Sequence, residues 1–218
     1  MKDLIKLAKG VSKFVVGLEG NISGKSENGF YVKASGKSLN NLSKKDLVFC
    51  DINGKTDDIS LKPSIEVSFH AWLLYNLDIK FVAHTHPVNT LKILCSNELD
   101  EFSRNRIFPD QVVFNGRESC VVDYSHPGED LTDSIKKSVT EYLLKYKISP
   151  KLILLKNHGI ITLGNTINDC IIATEICEKS AEIFIGCRLL SKINYLSDKD
   201  ITNILEDDKE KYRQNINE

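Results

Sequence analysis

Phe81-Val82-Ala83-His84-Thr85-His86-Pro87 is the stretch on which the reading of this chain turns. Apolar residues lead into two histidines spaced i and i+2, and Pro87 stops the run, the pattern of a buried strand closed at one end. Side chains two apart on a strand share a face, so His84 and His86 can converge on one metal ion. A catalytic zinc ion takes three protein ligands and keeps one position open for water or substrate. The chain has five histidines. One of them, His158, sits in a strand-to-turn sequence where Asn157 and Gly159 allow an unusual backbone and an exposed ring. The competing reading of His84 and His86 is a pair of core histidines bonded to backbone. His70, beside Phe69 and Trp72 on a helical face, reads as a satisfied core residue, and His126, in Ser125-His126-Pro127-Gly128, as a surface turn residue.

Working outward, apolar residues at spacings of three and four predict a helix over residues 2–17, after which Gly17, Gly20, Gly24 and Gly29 break the period. Short β-like runs follow at Phe30–Lys33 and Leu47–Cys50, with a turn signal at Asp51-Ile52-Asn53-Gly54. Ile65, Phe69, Trp72, Leu73 and Leu77 mark an amphipathic helix starting near Pro63, a residue at home in a first turn. Beyond the histidine strand, Val88–Cys95 has helical composition, and strands are expected at 111–114 and 118–124. Next come a helix from about Leu131 to Tyr146 with Asp130 available as a cap, a strand over 151–155, and a short run at 160–163. A long helix over about Ile167–Leu190 and a charged helix after Asp198 end the pattern, with the last ten or so residues as a tail. No repeat and no alternating βαβ register stands out, so the order predicts α/β or α+β layering.

The length, 218 residues, suits one large domain over 1–218, with the charged helix and tail at about 197–218 as its end. Twenty-nine basic against 30 acidic side chains leave a formal charge of -1, which offers no electrostatic footprint for a nucleic acid. No apolar run approaches a membrane span, and the charged start Met1-Lys2-Asp3 is unlike a secretory signal, so no membrane partner is expected and the location expected is cytoplasmic. Six cysteines without a Cys-x-x-Cys pair read as reduced, mostly core thiols.

Other segments carry weaker signals singly. Glu66 in a first helical turn is ordinarily a favourable charge at the helix dipole, though it could serve as a ligand or base. Gly20-Asn21-Ile22-Ser23, Ser35-Gly36 and Ser64 at a helix start could hold a phosphate. Together, Gly20-Asn21-Ile22-Ser23, Ala34-Ser35-Gly36, Lys62-Pro63-Ser64-Ile65-Glu66, His84-Thr85-His86-Pro87 and Leu154-Leu155-Lys156-Asn157-His158-Gly159 resemble, in order and separation, the motifs of the class II aldolase and adducin family over about residues 5–195. The resemblance implies a single-domain α/β fold with a central mixed or antiparallel sheet flanked by helices. It also implies zinc, or another divalent ion in its place, on His84, His86 and His158, Glu66 as catalytic base, and a phosphate site at Asn21, Ser35, Gly36 and Ser64.

The activity implied is that of a lyase, a metal-dependent aldolase acting on a sugar phosphate: dihydroxyacetone phosphate and an aldehyde are joined or separated through a zinc-stabilised enediolate. Ile65 departs from the family's fuculose-phosphate enzyme, which has a second serine there. The family's aldolases use a tyrosine to protonate the leaving aldehyde, and Tyr124, Tyr195 and Tyr212 are the candidates here. The resemblance further implies a homotetramer with sites near subunit boundaries. An epimerase or dehydratase on the same scaffold, or a non-catalytic adducin-like interaction domain, are the alternatives. Retention of all three histidines favours an enzyme.

Overall fold

The computed structural model describes residues 1–209. One seven-stranded sheet organises them: β1 Asn21–Ser26, β2 Gly29–Lys33, β3 Leu47–Cys50, β4 Phe81–Thr85, β5 Cys120–Val122, β6 Leu152–Leu155 and β7 Gly159–Gly164, in the order β3-β2-β1-β4-β7-β6-β5. Every pairing is antiparallel except β5 with β6. Helices cover both faces: α1 Lys2–Val11, α2 Val67–Asn76, α3 Val88–Leu94, α4 Leu99–Arg104, α5 Pro109–Asn115, α6 Glu129–Tyr146, α7 Ile167–Leu190 and α8 Asp198–Glu206. This is the α/β class with the helix-flanked mixed sheet that the sequence leads one to expect.

Alternation along β4 explains why the histidine strand is central. Val82 packs into a cluster with Phe69 and Leu73 of α2 and Ile135 and Val139 of α6. Ala83 faces the other way, into a cluster with Leu4, Leu7 and Val11 of α1 and Cys170 of α7. A third cluster joins Leu152 and Leu154 of β6 to α3, α4 and α7. Each fully buried Val, Leu or Phe contributes roughly 1.5–3 kcal/mol, so a one-residue slip of β4 is opposed on both faces. His84 follows Val82 onto the α2 face, edge-on to Phe69 with ring centroids 5.9 Å apart.

Several boundaries differ from the sequence reading. The run 111–114 is helical: Pro109 stands in the first turn of α5 and Gly116, at φ +81°, ends it, so the Pro and Gly punctuation overrides the β-branched pair Val112-Val113. Asn21–Ser26, in the glycine-interrupted stretch with no strand signal, is a strand because β2 and β4 pair with it on both sides, which outweighs its small polar residues. The first helix stops at Val11, and α2 starts at Val67 rather than near Pro63. Asp130 lies inside α6, whose cap position is Gly128. The 118–124 strand shrinks to Cys120–Val122, and α4 had no signal in the reading. Among the described residues there is one βαβ unit, β5-α6-β6, whose strands are parallel. Cys50, Cys120, Cys170 and Cys177 are buried free thiols, whereas Cys95 is exposed. No helix of the described residues is long and apolar enough to cross a membrane.

Candidate active site

Three neighbouring strands and one helix start build the site. His84 lies in β4 beside Asn21 of β1 and Ile161 of β7. His86 follows the strand, and its backbone N–H donates to the Phe14 carbonyl at 3.0 Å. His158 sits in the three-residue connection between Leu155 and Gly159, which pair across the β6–β7 hairpin. Asn157 takes φ +56° there, a left-handed conformation that asparagine tolerates. Gly159 allows β4 to approach: a Cβ at that position would stand 2.5 Å from His86 Cδ2 and 2.6 Å from the Thr85 carbonyl oxygen.

The three imidazoles close on one another. Ring centroids lie 4.8 Å apart for His84–His86, 4.8 Å for His84–His158 and 5.3 Å for His86–His158, with one potential ligand atom from each ring inside a 4.8 Å span. His84 Nδ1 donates to the Ile160 carbonyl at 2.9 Å, which frees Nε2 to face His86 Nε2 at 3.1 Å. His86 Nδ1 lies 3.5 Å from the Glu19 carboxylate, itself held by the Val16 N–H. Burial pushes the pKa of His84 down to about 3, helped by His158, and that of His86 to about 4, helped by His84. His158 is lowered too, by burial first, with Glu66 opposing. All three are therefore neutral near pH 7, the form that ligates a metal.

Glu66 completes the cluster, with Oε2 3.5 Å from His84 Nε2 and Oε1 3.5 Å from His158 Nε2. It is the cap residue of α2, 5% exposed, and Oε1 is buried without a hydrogen-bond partner. A buried carboxylate facing three neutral imidazoles is a donor set that fits a divalent cation such as zinc. The peptide before Glu66 is pinned to the end of β2: Ser64 N donates to the Lys33 carbonyl at 3.0 Å and Ser35 N to the Lys62 carbonyl at 2.9 Å. That pairing sets Ser64 beside the Ser35-Gly36 turn, where Gly36 takes φ +72°. Asn21 Nδ2 donates to Ser64 Oγ at 3.1 Å and to Glu66 Oε2 at 2.8 Å.

Every site residue expected from the sequence, namely Asn21, Ser35, Gly36, Ser64, Glu66, His84, His86 and His158, lines one cleft of about 240 Å³. Ile65 lines it too, 70% exposed, with Leu18 and Pro127. Sequence reasoning missed Glu19 and Lys33. Lys33 is buried, its Nζ donating to the Leu18 and Lys37 carbonyls at 3.1 and 2.5 Å; burial lowers its pKa while Glu66 opposes that. A lone charge closing the apolar run Phe30-Tyr31-Val32 was the available signal. His70 is a satisfied core residue as expected, with both ring nitrogens hydrogen-bonded, and His126 is an exposed turn residue.

Neither tyrosine candidate among the described residues is brought in. Tyr195 OH donates to Glu101 at 2.5 Å within the α7 packing, Tyr124 is exposed outside the cleft lining, and Tyr212 lies outside the described residues. Among the described residues no tyrosine lines the cleft. A larger groove of about 730 Å³ runs along edge strand β5, but its cations are paired with neighbouring acids: Lys145 with Glu118, Lys156 with Asp123, Arg104 with Asp100.

Known proteins resemble this chain in sequence and in fold. The family model described as "Class II Aldolase and Adducin N-terminal domain" matches residues 5–185. An L-fuculose phosphate aldolase of Methanococcus maripaludis is 31% identical over 173 residues, covering 78% of this chain and 87% of that protein. A 3-oxo-tetronate 4-phosphate decarboxylase of Haemophilus influenzae is 28% identical over 193 residues, 88% of each. Among solved structures, an L-fuculose 1-phosphate aldolase superposes with a TM-score of 0.79 at 20% identity, covering 97% of this chain and 95% of that one, a likeness of fold.

Proposed function

The chain belongs to the class II aldolase and adducin family, and we propose that it is a metal-dependent lyase that makes or breaks a carbon–carbon bond in a ketose phosphate, with dihydroxyacetone phosphate and an aldehyde as the separated pair. The observation that carries this reading is the convergence of the Glu66 carboxylate and three neutral histidines in one cleft with Ser35, Gly36 and Ser64. His84, His86 and His158 would hold the metal, which when bound supplies Lewis acidity to a substrate carbonyl. Glu66 moves the proton at the carbon next to that carbonyl, its unpartnered Oε1 being the available base. The Ser64 hydroxyl and the exposed Ser35-Gly36 turn offer hydrogen bonds to a phosphate, while Ile65 offers an apolar wall.

A second reading is favoured by the cleft lining. Among the described residues no tyrosine lines it, so none of them offers an aldehyde oxygen such a proton donor. Decarboxylation of a 3-oxo acid phosphate, the activity named for the Haemophilus influenzae relative, releases carbon dioxide and needs none. Under the aldolase reading the donor comes from beyond the described residues, in this chain or in a neighbouring copy, and the full-length protein should sediment as an oligomer at micromolar concentration. The deciding experiment is metal analysis of protein purified without added metal, followed by assays on ketose 1-phosphates and on 3-oxo acid 4-phosphates. One divalent ion per chain and release of dihydroxyacetone phosphate is the expected result. Carbon dioxide release alone selects the second reading, and a metal-loaded protein inactive in both assays rejects the lyase.

A further inference from the structure

We propose that His70, which lies outside the cleft lining, is a positioning residue that acts through Asn21 to set which oxygen of Glu66 is free to move a proton. The inference rests on Glu66 being the base. His70 is fully buried and stacked on Phe69, with ring centroids 4.5 Å apart. Its Nδ1 lies 2.6 Å from Ser23 Oγ and its Nε2 is hydrogen-bonded to Asn21 Oδ1. Asn21 in turn reaches Glu66 Oε2 at 2.8 Å and Ser64 Oγ at 3.1 Å.

The chemistry of the four groups allows one direction along this chain. An ionised carboxylate only accepts, so Asn21 must turn its NH2 toward Glu66 and its Oδ1 toward the ring. His70 Nε2 must then carry the hydrogen. Burial, with a smaller push from His84, holds His70 well below the ordinary histidine pKa, so the ring is neutral and has a single N–H. Nδ1 is left with a lone pair, and the Ser23 hydroxyl donates to it. A flipped Asn21 would set its carbonyl oxygen against a carboxylate oxygen in a buried place, which the ring forbids by offering a donor to Oδ1. Oε2 is thereby engaged, and Oε1 stays unpartnered at 3.5 Å from His158 Nε2. The relay assigns proton transfer to Oε1.

Two substitutions separate this role from packing. In His70→Gln the side-chain amide nitrogen falls near the place of Nε2 and can still donate to Asn21. In His70→Asn the amide reaches only the Nδ1 side. The assay is wash-in of solvent deuterium at the carbon next to the carbonyl of dihydroxyacetone phosphate, followed by NMR on metal-loaded full-length protein, with metal content measured alongside. His70→Gln should exchange within a few-fold of the unaltered enzyme. His70→Asn should lose roughly ten- to hundred-fold in kcat with metal content and KM held, the worth of the Asn21 hydrogen bond to the Glu66 carboxylate that His70 no longer holds in place. Equal losses in both variants, or none in His70→Asn, would overturn the inference. If His70→Asn fails to fold, Ser23→Ala carries the test: a loss of about two- to ten-fold in kcat supports the relay and an unchanged kcat refutes it. An unaltered enzyme that does not exchange deuterium overturns instead the lyase reading beneath it.

Discussion

Gly159→Ala adds one methyl group at the point where β7 meets the end of β4. A Cβ there stands 2.5 Å from His86 Cδ2 and 2.6 Å from the Thr85 carbonyl oxygen, short of the 3.4 Å at which ordinary contact begins by about 0.9 and 0.8 Å. The first partner is a ring that can move; the second is backbone in the central strand, which cannot move without opening the β4–β7 ladder. Overpacking of this kind costs about 1–3 kcal/mol of stability. Relief by swinging His86 aside shifts the ring by close to an ångström, whereas metal–ligand distances tolerate about 0.2 Å. Zinc affinity should therefore fall at least ten- to hundred-fold, the range seen when ligand orientation is disturbed. Competition against a chromophoric chelator measures the affinity, and thermal unfolding with and without zinc measures both terms. A variant that keeps its zinc Kd within two-fold and its Tm within a degree would refute the claim that Gly159 sets the spacing of the histidines.

Glu66→Gln keeps the shape and lets the amide oxygen still accept from Asn21, so metal content should hold while kcat drops by about 100- to 10,000-fold with KM little changed; near-normal turnover would reduce Glu66 to a helix-terminal charge. Ser64→Ala should raise KM for a phosphorylated ketose by about ten-fold and leave an unphosphorylated analogue unaffected; equal effects on both would reject an anion site there. Metal-free protein should lose stability as pH falls from about 6.5 toward 3, because the unfolded chain takes up protons at histidine's ordinary pKa while buried His84 resists until about 3. Stability should be level between about pH 7 and 8, and a urea midpoint flat between pH 7 and 5 would contradict the burial of the neutral ring.

How much of this was legible depends on what kind of physics each residue obeys. His84 and His86 are readable because strand alternation is local, and Glu66, Ser64 and the Asn-His-Gly turn because their spacing forms an ordered set of motifs. β1 was not, since Gly, Ser, Asn and Lys have little strand preference and only β2 and β4 on either side make Asn21–Ser26 a strand. The helix over Pro109–Asn115 hid behind Val112-Val113, although Pro109 and Gly116 framed it. Glu19 and Lys33 reach the cleft through loop and strand placement that no spacing announces. His70 of α2 reads correctly as a satisfied core histidine, but its partners at positions 21 and 23 come from strand β1, more than forty residues away.

The place of β4 between β1 and β7 also bears on when a cation can load during synthesis. When the ribosome has polymerised the chain only as far as Leu155, β1 can already flank β4 on one side, while the side that β7 will occupy stands open. Such a nascent chain holds His84 and His86 but no third imidazole from position 158, and an unpaired central strand is a template for contact with other chains. The ligand set closes only with the β6–β7 hairpin, a pairing of Phe81 with Gly164 across more than eighty residues of chain. If these histidines hold an ion as proposed, its capture follows formation of the sheet and locks it, so metal supply should govern how long the finished protein survives in the cell more than how fast it forms.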